Sequence, residues 1–251
     1  VPEVSDLSSG RGHELAANLA RVRDRVDAAC RAAGRSPADV QLLPVTKFFP
    51  ATDVELLIAA GVREFGESRE PEAGTKATEV RESTGLSDLR FHMIGQLQRN
   101  KAKTVARWAD RVHSVDSGKL AQALDRAVGT AREDGARGGA LEILIQIGLD
   151  DDEAKGRGGV PADELPALAD TILESDNLEL CGLMVIPPLG GSPEQWLDQT
   201  ARIHQGFVVQ YPSATELSAG MSDDLEIAVK YGSTCVRVGT AIMGSRPVIS
   251  P

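Results

Sequence analysis

From residue 40 onward, short apolar runs rich in β-branched residues alternate with stretches of helical period, and that rhythm admits few folds. The runs are VQLLPVTK (40–47), VREFG (62–66), RFHMIG (90–95), RVHSVD (111–116), LEILIQIG (141–148), LELCGLMVI (178–186), ATELSAG (214–220) and TCVRVGTA (234–241). Eight such strands within 251 residues predict an α/β chain folded as a (β/α)8 TIM barrel. The segments ATDVELLIAAG, SGKLAQALDRAV and SDDLEIAVKYG each begin near Ser, Thr or Asp, and two end in Gly, as helix caps require. Ahead of the first strand, Leu15, Leu19, Val22, Val26 and Cys30 recur at helical spacing, so an extra N-terminal helix over residues 12–33 should pack on the barrel. Pro44 lies inside the first run although it cannot donate to a ladder, and a bulge would accommodate it. A doubly wound sheet would alternate in the same way. However, no G-x-G-x-x-G follows the first strand, and GRGG at 156–159 follows the wrong kind of element.

The chain carries 27 basic and 37 acidic side chains, a net charge of -10, and no stretch gathers enough Lys and Arg to follow a phosphate backbone, which argues against nucleic acid. No apolar run approaches the roughly 20 residues that span a bilayer, and VPEVSDLSSG does not read as a signal sequence. Cys30, Cys181 and Cys235 are odd in number and far apart, which suits reduced core thiols in a cytoplasmic protein. There is no internal repeat. One domain over residues 1–251 is expected, with 1–11 flexible and 245–251 a tail, and an initiator residue or short leader is expected to precede Val1.

In a parallel barrel the functional groups gather at the C-terminal ends of the strands, and Lys47 stands at the end of the first. An ammonium group among Val45, Phe48 and Phe49 loses hydration, so it either finds an anion, loses its proton, or forms an imine with a carbonyl. A lysine that snorkels its head into water satisfies the same pattern. After strands 7 and 8 the chain reads SAGMSDD and VRVGTA, with Ser222 opening a helix and Gly239 and Thr240 in a small-residue turn. Such turns hold phosphate through exposed amide groups, a hydroxyl and a helix N-terminus. Asp223 and Asp224 fit a capping role equally well. Arg237, mid-strand in an apolar context, needs an acceptor, either a carboxylate or a ring nitrogen of a ligand. An imine-competent lysine, a phosphate turn and an arginine together describe a site for pyridoxal phosphate.

Through these residues the chain resembles the pyridoxal phosphate homeostasis proteins, relatives of the alanine racemase barrel. The matching stretches are VTKFFPATDV, REFGES, FHMIGQLQRNK, VHSVD, LEILIQIGLDDDEAKGR, CGLMVIPP, LSAGMSDDLEIAVKYGST and VRVGTAIMG. The resemblance implies that Lys47 holds pyridoxal 5'-phosphate as an aldimine, that Ser222, Gly239 and Thr240 bind its phosphate, and that Arg237 lies beside the pyridine nitrogen. Ser68 stands where the family usually has Asn, with a shorter reach toward the ring hydroxyl. Gln146-Ile147-Gly148 replaces the usual QVN after strand 5, removing a polar group from the rim.

His92 and His113, on strands 3 and 4, read as satisfied barrel histidines, with no partner at metal-ligand spacing. Asp116 reads as an N-cap, and Asp150 to Glu153 with Lys155 and Arg157 as a solvated loop or a rim over the cofactor. Racemases of this barrel type take a second base, a tyrosine, from an added domain. Here SRPVISP follows strand 8, and the only tyrosines are Tyr211 and Tyr231. The expected function is a non-catalytic carrier that keeps pyridoxal phosphate in balance and passes it to dependent apoenzymes, as a monomer rather than a dimer. A racemase-type enzyme and a class I aldolase using Lys47 are the alternatives.

Overall fold

The computed structural model describes residues 10–149, 158–188 and 190–245. After α1 (Gly10–Ala32) come β1 (Gln41–Pro44), α2 (Ala51–Ala59), β2 (Glu64–Glu67), α3 (Glu72–Thr84), β3 (Arg90–Met93), α4 (Ala102–Trp108) and β4 (Arg111–Val115). There follow α5 (Gly118–Glu133), β5 (Leu141–Ile147), α6 (Leu165–Leu173), β6 (Leu178–Val185), α7 (Pro193–Gln210), β7 (Glu216–Ser218), α8 (Leu225–Lys230), β8 (Cys235–Val238) and α9 (Thr240–Met243). Each expected strand is present, trimmed at its ends.

All eight strands are parallel, in the order β1-β8-β7-β6-β5-β4-β3-β2, so the barrel has one seam, between β1 and β2. A bridge between Val45 and Gly66 closes it, with the Thr46 amide donating to Gly66 O at 3.0 Å. Pro44 explains the thin seam. Gln41 and Val45 donate to the β8 side and Thr46 to β2, so by strand alternation the missing Pro44 donor would have faced β2. No bulge is needed in β1, which stays in register with β8 from Gln41 to Pro44.

The strands' outward side chains pack under the helices. Phe91 lies 5.5 Å from Phe65 by ring centroid and beneath the Arg81 guanidinium of α3 at 5.0 Å. The lumen is polar instead: His113 of β4 bonds Ser218 of β7, and Arg111 of β4 bonds Glu216 of β7, contacts only inward-facing groups of non-adjacent strands can make.

Helix α1 buries Leu15, Leu19, Val22, Val26 and Cys30, the expected stripe, against α2, α8 and α9. It begins at Gly10, two residues before the start expected for it, and Arg11 in its first turn donates to Asp53 at 2.6 Å and to Met243 O at 2.9 Å. Residues 1–9, the acidic run 150–153 with Lys155 and Arg157, and the tail beyond Ser245 lie outside the described residues. Among the described residues no helix is long and apolar enough to cross a membrane.

Candidate functional site

Strand register decides what meets at the C-terminal rim. Val45 bridges Gly66 and donates to Val238 O at 2.9 Å, and the Arg237 amide donates to Gly220 O at 2.9 Å. Two residues beyond Val45 and Gly66 stand Lys47 and Ser68, two beyond Gly220 stands Ser222, and immediately after Val238 come Gly239 and Thr240. The ends of β2, β1, β8 and β7 therefore bring all five residues to one rim. A Cβ on Gly239 would lie 3.6 Å from Val45, so the phosphate-type turn abuts the segment that carries Lys47.

Lys47 is half-buried in the turn after β1, its Nζ 5.8 Å from the Phe48 ring centroid. Phe48 adopts φ 71°, the left-handed region that non-glycine residues rarely enter, so the backbone bends sharply just past the lysine. Beneath the turn lies a buried pair. Lys76 of α3 donates to Glu67 at 2.7 Å and to Thr46 O at 2.9 Å, while the Thr46 hydroxyl donates to Glu67 at 2.6 Å. This pair holds the residue preceding Lys47 by both backbone and side chain.

Ser222 is a correction. It does not open the helix, since α8 starts at Leu225; it lies in the preceding turn, whose Met221 amide donates to Asp224 Oδ1 at 2.5 Å. Asp224 holds the N-cap position of α8, but its side chain serves that turn and makes no cap hydrogen bond to the helix. Gly220 has φ 94°, and a Cβ there would come 2.5 Å from Ala228 Cβ, so only glycine lets the β7 end fold back onto α8. Gly239 is the N-cap of α9 and Thr240 its first residue, leaving the first amides of that turn without intrahelical partners.

Arg237 is 5% exposed and points into the lumen, donating to Ser218 Oγ at 2.7 Å and to Val185 O at 2.8 Å. Burial lowers its pKa from the ordinary value, yet an arginine stays charged. From Ser218 a polar chain runs on: His113 Nδ1 at 2.9 Å, then His113 Nε2 to His92 Nδ1 at 3.0 Å, then His92 Nε2 to Glu64 at 2.9 Å. The two histidines are satisfied, as expected, but by each other. Burial holds His92 below the usual imidazole range and His113 well below it.

Ser117, not Asp116, caps α5, accepting from the Leu120 amide at 3.4 Å; the Asp116 carboxyl is pushed up by burial. Cys30 and Cys235 are buried free thiols, whereas Cys181 is only half-buried. After β5, the Val160 amide donates to Gln146 O at 2.8 Å and the Gly148 amide to Val160 O at 2.9 Å, so the departure at Gly148 falls where two backbones touch. Among the described residues no group of three His, Cys, Asp or Glu could hold a metal ion. A cavity of about 510 Å³ at the opposite end of the barrel is lined by Glu64, Arg90, Arg111, Glu142 and Glu216, charges that largely pair with one another.

Three parts of this arrangement were not read from the sequence: the Glu67–Lys76 pair, the Glu64 end of the histidine chain, and Arg25 of α1. Arg25 donates to Ser222 O at 2.9 Å and to Glu226 at 2.8 Å, tying the N-terminal helix to the β7 turn. A carboxylate within the short strand run REFGE was the available signal for the first, since a buried acid needs a cation.

The family model for the N-terminal domain of alanine racemase matches residues 15–247. The pyridoxal phosphate homeostasis protein of Mycobacterium leprae is 48% identical over 255 residues, covering 98% of each chain. Its namesake in Escherichia coli is 38% identical over 237 residues, covering 93% of this chain and 97% of that one. The structure of PipY from Synechococcus elongatus with PLP bound superposes with a TM-score of 0.74 at 33% identity, covering 92% of this chain and 100% of that one.

Proposed function

This chain belongs to the pyridoxal phosphate homeostasis protein family, and from that premise we propose that it binds pyridoxal 5'-phosphate at the strand C-terminal rim and maintains the cofactor's balance without catalysing a reaction on it. The observation that carries this reading is the convergence, by register, of Lys47 with the Ser222 and Gly239–Thr240 turns and the buried Arg237. Lys47 Nζ condenses with the cofactor's aldehyde, losing one water, while Ser222 Oγ and the first amides of α9 take the phosphate. Ser68 approaches from β2. Arg237 carries only N–H donors, so against a ring nitrogen it donates and leaves that nitrogen unprotonated. The bound cofactor supplies a reactive aldehyde and a conjugated ring, and an unprotonated ring is the weaker electron sink.

The arrangement also favours a carrier over an enzyme. Racemisation needs an acid/base group on each face of the substrate carbon. Tyr211 O–H is committed to Asp170 of α6 at 2.8 Å and Tyr231 O–H to Glu194 of α7 at 3.4 Å, so each tyrosine hydroxyl is engaged by a carboxylate of the helical layer. The partners on this reading are pyridoxal phosphate and the apoenzymes that require it, met in the cytoplasm by a monomeric, single-domain protein. The test mixes loaded protein with a pyridoxal phosphate-dependent apoenzyme and a phosphatase that destroys free cofactor. The apoenzyme should gain activity from the wild type and not from Lys47→Ala. Exchange of α-protons when single L-amino acids are incubated with the loaded protein in deuterium oxide would overturn the carrier reading in favour of a racemase-type enzyme.

A further inference from the structure

Glu64, His92, His113, Ser218 and Arg237 come from five different strands, β2, β3, β4, β7 and β8, and span the lumen from its N-terminal mouth to the ligand end. The two ends of the series have fixed hydrogen-bond roles. Arg237 can only donate, so Ser218 Oγ accepts from it. Glu64, beside Arg90 at 3.6 Å and facing Gln41, is a carboxylate and can only accept, so His92 Nε2 carries a proton. If both histidines are neutral, the remaining protons have one arrangement. His92 Nδ1 is then bare and accepts from His113 Nε2–H; His113 Nδ1 is bare in turn and accepts the Ser218 hydroxyl proton. Each inner group donates once and accepts once. An imidazolium in the series would lie fully buried with Arg111 and Arg237 nearby, a costly position for a further cation.

We propose that these five side chains form a one-way hydrogen-bond chain in which Glu64, at the far mouth of the barrel, is a positioning residue for Arg237. Glu64 sets the His92 tautomer, His92 sets that of His113, and His113 takes the Ser218 proton, leaving a lone pair aimed at Arg237 Nη1. With Val185 O on Nη2, the plane of the guanidinium is determined. The consequence for the ligand rests on the reading that Arg237 meets the pyridine ring of pyridoxal phosphate; the direction of the chain does not.

The test has two arms. In ligand-free protein selectively labelled with 15N-histidine, long-range proton–nitrogen correlation at pH 7 reads each tautomer. His13→Gln and His204→Gln, both outside the chain, reduce the spectrum to the two rings of interest. Both should be Nε2–H tautomers with unprotonated Nδ1. Either ring as Nδ1–H or as imidazolium overturns the chain. The second arm compares Glu64→Ala with Glu64→Gln, whose amide oxygen can still accept from His92; Glu64 has a 35% exposed side chain, so neither substitution empties a core position. In Glu64→Ala the single His92 tautomer should be lost and the dissociation constant for pyridoxal phosphate should rise about three- to tenfold, with Glu64→Gln close to wild type. Unchanged histidine spectra and unchanged affinity in Glu64→Ala would overturn the positioning role. Correct tautomers in a wild-type protein that takes up no pyridoxal phosphate would instead overturn the ligand reading on which the consequence for binding depends.

Discussion

The turn that carries Lys47 is held from below by a buried ion pair, and the expense of burying Glu67 and Lys76 makes them informative single residues. Removing one partner strands the other charge, which costs about 3–5 kcal/mol, whereas removing both can be nearly neutral. Lys76→Met should therefore destabilise the protein by about 3 kcal/mol in urea titration, and Glu67→Gln combined with Lys76→Met should recover most of the loss. Equal losses in the single and double variants would show that the pair is not coupled. Gly95 makes a second residue-level test. A Cβ there would sit 2.2 Å from Ser68 O, so Gly95→Ala must push the β2 end away from β3. It should cost about 2–3 kcal/mol and weaken cofactor uptake through Ser68, measured by unfolding and titration on the same sample. Lys47 was legible in the sequence because an ammonium after an apolar run is conspicuous. Glu67 and Lys76 were not, because their pairing depends on how α3 packs over the strand ends.

At the scale of elements, the strands were readable because a parallel strand buried on both faces is a near-continuous apolar run, as LEILIQIG shows. Their ends were not, because the residues that follow Pro44 of β1 carry no turn signal that marks where strand pairing ends. Pro44 looked like a contradiction only until the topology put β1 at the seam. Helix α1 carried no recognisable motif, yet its Arg25 grips the Ser222 carbonyl. Arg25→Ala loses that bond and a partly exposed ion pair with Glu226, so the unfolding midpoint should move by no more than a few degrees. Affinity for pyridoxal phosphate should fall about fivefold through the loosened turn. Unchanged affinity would leave α1 with a packing role alone.

For the whole molecule, the polar lumen gives stability a pH dependence of known sign. An unfolded chain protonates its histidines near 6.5, while burial keeps folded His92 and His113 below that value. Above pH 6.5 both states are neutral there and the contribution is complete. As pH falls, the unfolded state binds protons the folded state refuses, and each histidine removes up to about 1.4 kcal/mol per pH unit. Glu64, held below its ordinary 4.5 by His92, Gln41 and Arg90 although burial opposes them, acts in the same direction below that value. Glu70 and Asp116, both raised by burial, act oppositely near pH 4 to 5. The melting temperature should therefore drop by several degrees between pH 7 and 5.5; a level profile there would mean the histidines titrate freely. The central claim is that Lys47 holds pyridoxal phosphate. Its most direct test is to titrate the purified protein with the cofactor, record the visible spectrum, reduce with borohydride and map the intact-mass adduct by peptide. The account predicts a yellow protein gaining one reduced pyridoxal phosphate on the Lys47 peptide. A colourless protein with no adduct, or an adduct on another lysine, would contradict it.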